Sequence, residues 1–169
     1  YLTDVRTGVA GAIAAKYLAP KQVRRIGIVG TGTQARLQLT HLESVISCKD
    51  TIVFGRDDAK LEQYKNEMVH QGFVVSTTKD INELTSQCNL IVTTTTSTQP
   101  LISWKHVQKG THITAVGSDT PSKQELDQVI LGEADLVVAD SISQCMERGE
   151  IFHAFHKGIL RQGDIVELG

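Results

Sequence analysis

Cysteine is scarce in this sequence. Cys48, Cys88 and Cys145 lie far apart among 169 residues, and no C-x-x-C pair occurs. An odd, scattered set argues against a disulfide framework and against a zinc site, so a reducing cytoplasm is the expected compartment. The six histidines are scattered too. His153 and His156 can share a helix face, but no third ligand accompanies them, and no metal site is expected. Neither charge is in excess: the net charge is −2, with no basic patch for nucleic acid and no acidic tail. No apolar run approaches the roughly 20 residues that cross a bilayer, and no secretion leader is recognisable. Repeats, low-complexity tracts and interdomain linkers are missing as well. The remainder is ordinary globular composition, 40% apolar and 21% charged. The length suffices for one domain with a real core, expected over residues 1–169. The chain opens on Tyr1-Leu2-Thr3 as if inside an element, so a piece of a longer protein is expected.

What the sequence does have is Arg25-Ile26-Gly27-Ile28-Val29-Gly30-Thr31-Gly32-Thr33-Gln34-Ala35. A short apolar run ends in G-x-G-x-x-A and passes straight into a helical pattern. This arrangement offers bare backbone N–H groups and a helix N-terminus to a pyrophosphate. Gly30 permits the tight turn, Gly32 lets the chain approach phosphate, and Ala35 lets the helix pack on its strand. Glycines also mark ordinary turns. Here the preceding strand and following helix favour a dinucleotide.

Around this core the pattern alternates. Helices are predicted over 3–19, 34–46, 58–70, 80–86, 122–130 and 141–148. Strands are predicted over 23–29, 51–54, 73–76, 90–94, 112–116 and 136–139. Ser122 with Glu125, and Ser141 with Gln144, stand at capping-box spacing. Beyond Gly149 the pattern fades. Such alternation predicts an α/β fold of Rossmann type, a doubly wound, mostly parallel sheet flanked by helices. The first helix is small almost all round (Gly8, Ala10, Gly11, Ala12, Ala14, Ala15) and is expected to be largely buried.

Ligands of such sheets bind outside the carboxyl ends of the strands. Gly55-Arg56-Asp57-Asp58 comes after the second strand, where an acidic residue would bind a ribose. Arg56 instead suits a 2′-phosphate, although Asp57 can still reach a ribose, and either Asp57 or Asp58 can cap the next helix. Six hydroxyl residues, Thr93 to Thr98, come after the fourth strand. They suit ribose or phosphate oxygens, and equally a β-branched strand running into a turn. After the fifth strand comes Val116-Gly117-Ser118-Asp119-Thr120-Pro121. Thr120 or Ser122 can cap the next helix, which leaves Asp119 for proton transfer; a loop Asp bonding its own backbone reads the same. Arg6 lies in a first helical turn, where the macrodipole disfavours a cation. Binding an anion would explain it, and so would pairing with Asp4 or solvent.

Arg6-Thr7-Gly8 with its Ala-rich helix, Gly30-Thr31-Gly32-Thr33-Gln34-Ala35, Val116 to Pro121 with Glu125-Leu126-Asp127, Asp140-Ser141 with Gln144, and Gly149-Glu150 resemble, in order, the ornithine cyclodeaminase/mu-crystallin family. The resemblance implies a homodimeric NAD(P)-dependent protein acting on small amino acids or cyclic imines: a cyclodeaminase, alanine dehydrogenase, or ketimine or pyrroline-2-carboxylate reductase. It implies a pyrophosphate loop at Gly30, Thr31, Gly32, Thr33, Gln34 and Ala35, and a basic residue of NADP users at Arg56. Thr95 and Ser97 match the loop that touches the nicotinamide ribose. Arg6 matches the arginine for the substrate carboxylate, and Asp119 the catalytic aspartate. NAD(P) is the expected cofactor, with a lean to NADP. Family proteins are roughly twice this long, and their substrate and dimer domain and their C-terminal segment have no counterpart here. The expectation is therefore a nucleotide-binding portion, inactive by itself. The rival expectations are a non-catalytic ligand-binding protein of the mu-crystallin kind and an unrelated Rossmann domain such as a methyltransferase.

Overall fold

The structure, a computed structural model, describes residues 2–168. The chain divides into two compact units. One holds the chain up to Thr94 together with His106–Thr114; the other holds Thr95–Lys105 and the chain from Ala115 onward.

The first unit is built on a five-stranded sheet. Its strands are β1 (Ile26–Val29), β2 (Asp50–Phe54), β3 (Val74–Thr78), β4 (Leu90–Thr93) and β5 (His112–Ala115), in the order β3-β2-β1-β4-β5. This is the nucleotide-binding order, with the strand sequence reversing beside β1. β1 runs parallel to β2 and to β4, in a register that sets Val29 against Phe54 on one side and Thr93 on the other. The carboxyl ends of the three central strands are therefore flush. All four residues of β1 and of β4 are buried. Such continuous apolar strands require cover on both faces. Helices α2 (Thr33–Leu42), α3 (Asp58–His70) and α4 (Ile81–Gln87) supply it. Leu39, Leu42, Leu61, Tyr64, Met68 and Leu84 are at most 4% exposed, and burying each such apolar side chain stabilises the fold by roughly 1.5–3 kcal/mol. Asp57 caps α3 by accepting from the Lys60 amide, and Asp80 caps α4 by accepting from the Asn82 amide.

Helix α1 (Leu2–Leu18) packs on α2. A Cβ on Gly8 would stand 2.6 Å from His41 Cδ2, and one on Gly11 would overlap the Gln38 amide. Gln38 is fully buried and donates from Nε2 to the Thr7 carbonyl at 3.0 Å. The glycines are thus the condition for close helix contact. The expectation that α1 is largely buried is corrected. Gly8, Gly11, Ala12 and Ala15 are buried, whereas Leu2, Val9, Ile13 and Tyr17 are exposed. Small residues all round the helix hide which face is the packed one.

The second unit departs further from expectation. Residues 122–128 are not helical. They run as a strap that makes a parallel bridge between Leu126 and Ile102 and enters helix α5 only at Val129–Glu133. Pro121 sits inside a turn closed by the Lys123 amide on the Thr120 carbonyl, a position its fixed φ suits. The run 136–139 joins no doubly wound sheet. Strand β6 (Val137–Ala139) pairs in parallel with β7 (Ile165–Glu167) as a separate two-stranded ribbon, and Leu136 is half exposed. The predicted helix 141–148 shortens to α6 (Ile142–Cys145), and the Ser141 side chain makes no capping bond. Where the sequence periodicity fades lies helix α7 (Gly149–His156), opened by Gly149 at φ +86°.

Candidate functional site

The glycine turn begins where β1 ends. The Gly30 amide still bonds the Phe54 carbonyl at 2.9 Å, continuing the ladder by one step. Gly30 then takes φ +117°, open to glycine at little cost. Gly32 forms the N-cap of α2 with extended backbone and no side-chain cap. The amides of Thr31, Gly32, Thr33, Gln34 and Ala35 donate to no acceptor among the described residues. Gly32 and Thr33 are exposed. A Cβ on Gly32 would meet nothing within 4 Å. Open space therefore lies over a set of unmet donors at the positive end of a helix dipole, a setting that favours an anion.

The support behind the turn was not expected. Arg36 donates from Nη1 to the carbonyls of Thr31 and Gly32, and its Nε pairs with Glu67. This engages the turn's carbonyls on one side while the amides stay free. The Arg36 pairing and the 2.8 Å bond from Gln63 hold the Glu67 carboxyl below its ordinary range. The buried Tyr64 hydroxyl donates to the Ala35 carbonyl at 3.0 Å, and burial pushes its phenol far above the ordinary value. Gln34 turns away from the open space. Its Nε2 lies 3.2 Å from the Asp4 carbonyl and 3.3 Å from Asp4 Oδ1. That link ties the turn to α1 and so to Arg6, two residues further along the same helix. Arg6 is exposed and makes no ion pair with a described residue. Arg56, just past β2, is likewise exposed and without a partner among the described residues. Its neighbour Asp57 is engaged as the cap of α3.

The second unit carries the remaining candidates. Thr95 Oγ1 accepts from the Ser97 amide at 3.2 Å, and Ser97 Oγ donates to the Gln99 carbonyl at 2.7 Å. Both hydroxyls therefore shape their own loop. The Asp119 carboxylate is 67% exposed and pairs with Lys123 Nζ at 2.6 Å. Lys123 was missed, because a predicted helix starting at Ser122 pointed it elsewhere. Two carboxylates that the sequence offered only as parts of motifs, Glu125 and Glu150, are buried here. Glu125 is fully buried and accepts from the Thr95 amide at 2.5 Å and the Gly117 amide at 3.0 Å. Glu150 accepts from the amides of Glu125 at 2.7 Å and Leu126 at 3.2 Å. Among the described residues no group of three or more His, Cys, Asp or Glu could hold a metal ion, and no helix is long and apolar enough to cross a membrane.

The ornithine cyclodeaminase/mu-crystallin family profile matches residues 1–169. The chain belongs to this family. It is 39% identical to the alanine dehydrogenase of Archaeoglobus fulgidus over 98% of its own length and 50% of that protein. Among solved structures, an archaeal alanine dehydrogenase dimer with bound NAD superposes with a TM-score of 0.93 at 38% identity, over 100% of this chain and 52% of that one. The Thermococcus litoralis Δ1-pyrroline-2-carboxylate reductase with NADH and L-proline superposes at 0.92 and 31% identity, over 98% and 52%. The chain spans about half the length of the curated relatives it matches. At these identities the Rossmann-like architecture of this family member is secure.

Glu150 makes one property of the family member measurable. It is 7% exposed. Burial pushes its carboxyl from the ordinary 4.5 to about 7; the amides of Glu125 and Leu126 oppose the push, the neighbouring Glu125 carboxylate adds to it, and the Ser118 hydroxyl lowers it. The folded state thus holds this proton more tightly than the unfolded chain. The resulting stabilisation is complete below pH 4.5 and is lost as pH rises to about 7. Glu150→Gln titrates nothing, so its stability relative to the native chain should climb across that window, by about 1.4 kcal/mol for each step of one in pH, and level off above it. Urea midpoints at pH 5 and pH 8 check this; a difference independent of pH would contradict it.

Proposed function

We propose that this chain is the nucleotide-binding portion of an NAD(P)-dependent enzyme acting on a small amino or imino acid. The observation that carries the reading is the run of five amides, unmet among the described residues, at the open space over Gly32. A diphosphate satisfies such donors without any side chain entering. The relatives with NAD or NADH in their structures support the same cofactor class. The residues that would hold it are Gly30, Thr31, Gly32, Thr33, Gln34 and Ala35, with Thr95 and Ser97 toward the nicotinamide ribose. Because the Ser97 and Thr95 hydroxyls are engaged in their own turns, their role is to set the shape of that loop. Arg56 is an exposed cation past β2 without a partner among the described residues, and Asp57 is engaged as a cap, which favours a 2′-phosphate and hence NADP.

When bound, the dinucleotide supplies a hydride donor or acceptor. The chain's own groups do the rest. Arg6, exposed and without an ion-pair partner among the described residues, holds the substrate carboxylate by a forked pair of charge-assisted bonds. Asp119, exposed and steered by Lys123, takes or returns the proton on the substrate nitrogen. The same two residues serve dehydrogenation, imine reduction and cyclodeamination. In this reading the parent protein is a homodimer, like the archaeal alanine dehydrogenase.

Three outcomes test the reading in the full-length protein. Gly32→Val should fold normally, since its side chain meets only open space, yet lose dinucleotide binding by calorimetry; retained affinity would refute the loop assignment. Arg56→Glu should weaken NADP at least about tenfold more than NAD, because one charge-assisted contact becomes repulsive; equal losses would remove the cofactor preference. Asp119→Asn should slow turnover of pyrroline-2-carboxylate or alanine about 10²–10⁴-fold while cofactor affinity holds, and a native rate would eliminate its role.

A further inference from the structure

We propose that Glu125 is a positioning residue for Asp119: its buried carboxylate clamps the loop after β4 to the loop after β5 and so fixes the backbone that presents Asp119. This rests on the acid–base reading of Asp119 given above. The geometry lies wholly within the second unit.

A fully buried carboxylate is an expensive way to fill space unless strong donors satisfy it. The donors of Glu125 come from two separate segments, the Thr95 amide on Oε1 and the Gly117 amide on Oε2. A Cβ on Gly117 would fall on the Thr95 backbone and on Glu125 Oε2, so only glycine allows the three to meet. The clamp is itself held, because Glu150 takes the Glu125 and Leu126 amides.

Asp119 lies two residues past the clamped amide. Between them, Ser118 Oγ donates to the Lys123 carbonyl at 2.6 Å, and His153 Nε2 lies 2.7 Å from the same oxygen. Lys123 Nζ reaches back to Asp119 Oδ1. The backbone is therefore held before Asp119 by the buried Glu125 and Ser118 and after it at the half-buried Lys123, while the carboxylate stays open. A proton-transfer group needs this combination, since small misplacements of a reacting group cost large factors in rate.

The test uses the full-length enzyme. Glu125→Gln keeps the volume but turns an amide NH₂ toward one of the two N–H donors. Dinucleotide affinity should stay within about twofold, while kcat falls about 10–100-fold and the limb of the kcat–pH profile that Asp119→Asn abolishes is displaced. Glu125→Asp, which keeps the charge on a shorter arm, should recover part of the rate. Native kcat and an unshifted profile in folded Glu125→Gln would overturn the proposal. Amide exchange in the native enzyme decides it if that variant fails to fold: Thr95 and Gly117 should be protected, and open-loop exchange rates would overturn the clamp. A native rate in Asp119→Asn sinks the acid–base reading and this proposal together, whereas slow Asp119→Asn with unaffected Glu125→Gln sinks the proposal alone.

Discussion

Five successive amides at the end of β1 have no acceptor among the described residues, and much of the first unit is arranged around them. The flush register of β1 with β2 and β4 delivers the chain to the sheet edge with its ladder nearly complete. Gly30 then reverses the chain and Gly32 leaves the space above it clear. Arg36 takes up the carbonyls of Thr31 and Gly32, so that the turn's polarity is divided: carbonyls inward to a guanidinium, amides outward. Tyr64 and Glu67, one turn apart on α3, brace the same first turn of α2. Leaving donors unmet carries a free-energy penalty unless water or an anion answers them. A scaffold that over-determines a turn in this way tolerates that penalty.

The second unit solves the same chemical problem from within. There the strand-end loops also carry free amides, but two buried carboxylates of the chain itself, Glu125 and Glu150, accept them. One unit leaves its donors unmet among the described residues, and the other answers them from its own chain. The difference suits different duties. A loop that binds a ligand must keep its donors available, whereas a loop that presents a reactive side chain must not move. The raised affinity of Glu150 for its proton is first the consequence of its burial, to which the neighbouring Glu125 carboxylate adds.

The central strands and their helices were legible because local signals and tertiary packing agree there. Asp58–His70 begins with an acidic cap and ends near Gly72, and the helix has those bounds. The glycine fingerprint stood between a strand and a helix, as the structure has it. Residues 122–130 failed for the opposite reason. Ser122 and Glu125 have capping-box spacing, but Glu125 finds two stronger donors thirty and eight residues away, and the backbone follows it into a strap. Long-range burial of a charge overrides local capping. The run ending at Ala139 was equally ambiguous, because a short apolar strand does not say which partner it pairs with. Its partner β7 lies where periodicity had faded. Lys123 and Arg36 carried no motif; both become visible only when the chain's path brings a cation back to a loop it has just left.

The packing of the glycine turn also constrains the residue that ends β2. Gly55 ends β2, where a ribose-binding acid commonly stands in this fold. A Cβ there would meet Thr31 Cγ2 and Leu61 Cδ2 at 3.0 Å. The Thr31 side chain of the glycine turn thus crowds the space that an acidic residue at position 55 would need. The nearest acid is displaced to Asp57, whose carboxylate is engaged by the Lys60 amide, and the residue between them is Arg56. Arg56 is therefore the exposed cation at this strand end, followed by the capping Asp57. Replacing Gly55 with an acid would press its side chain against the turn and against Leu61. The residue at position 55 and the geometry of the glycine turn are coupled through one threonine methyl group.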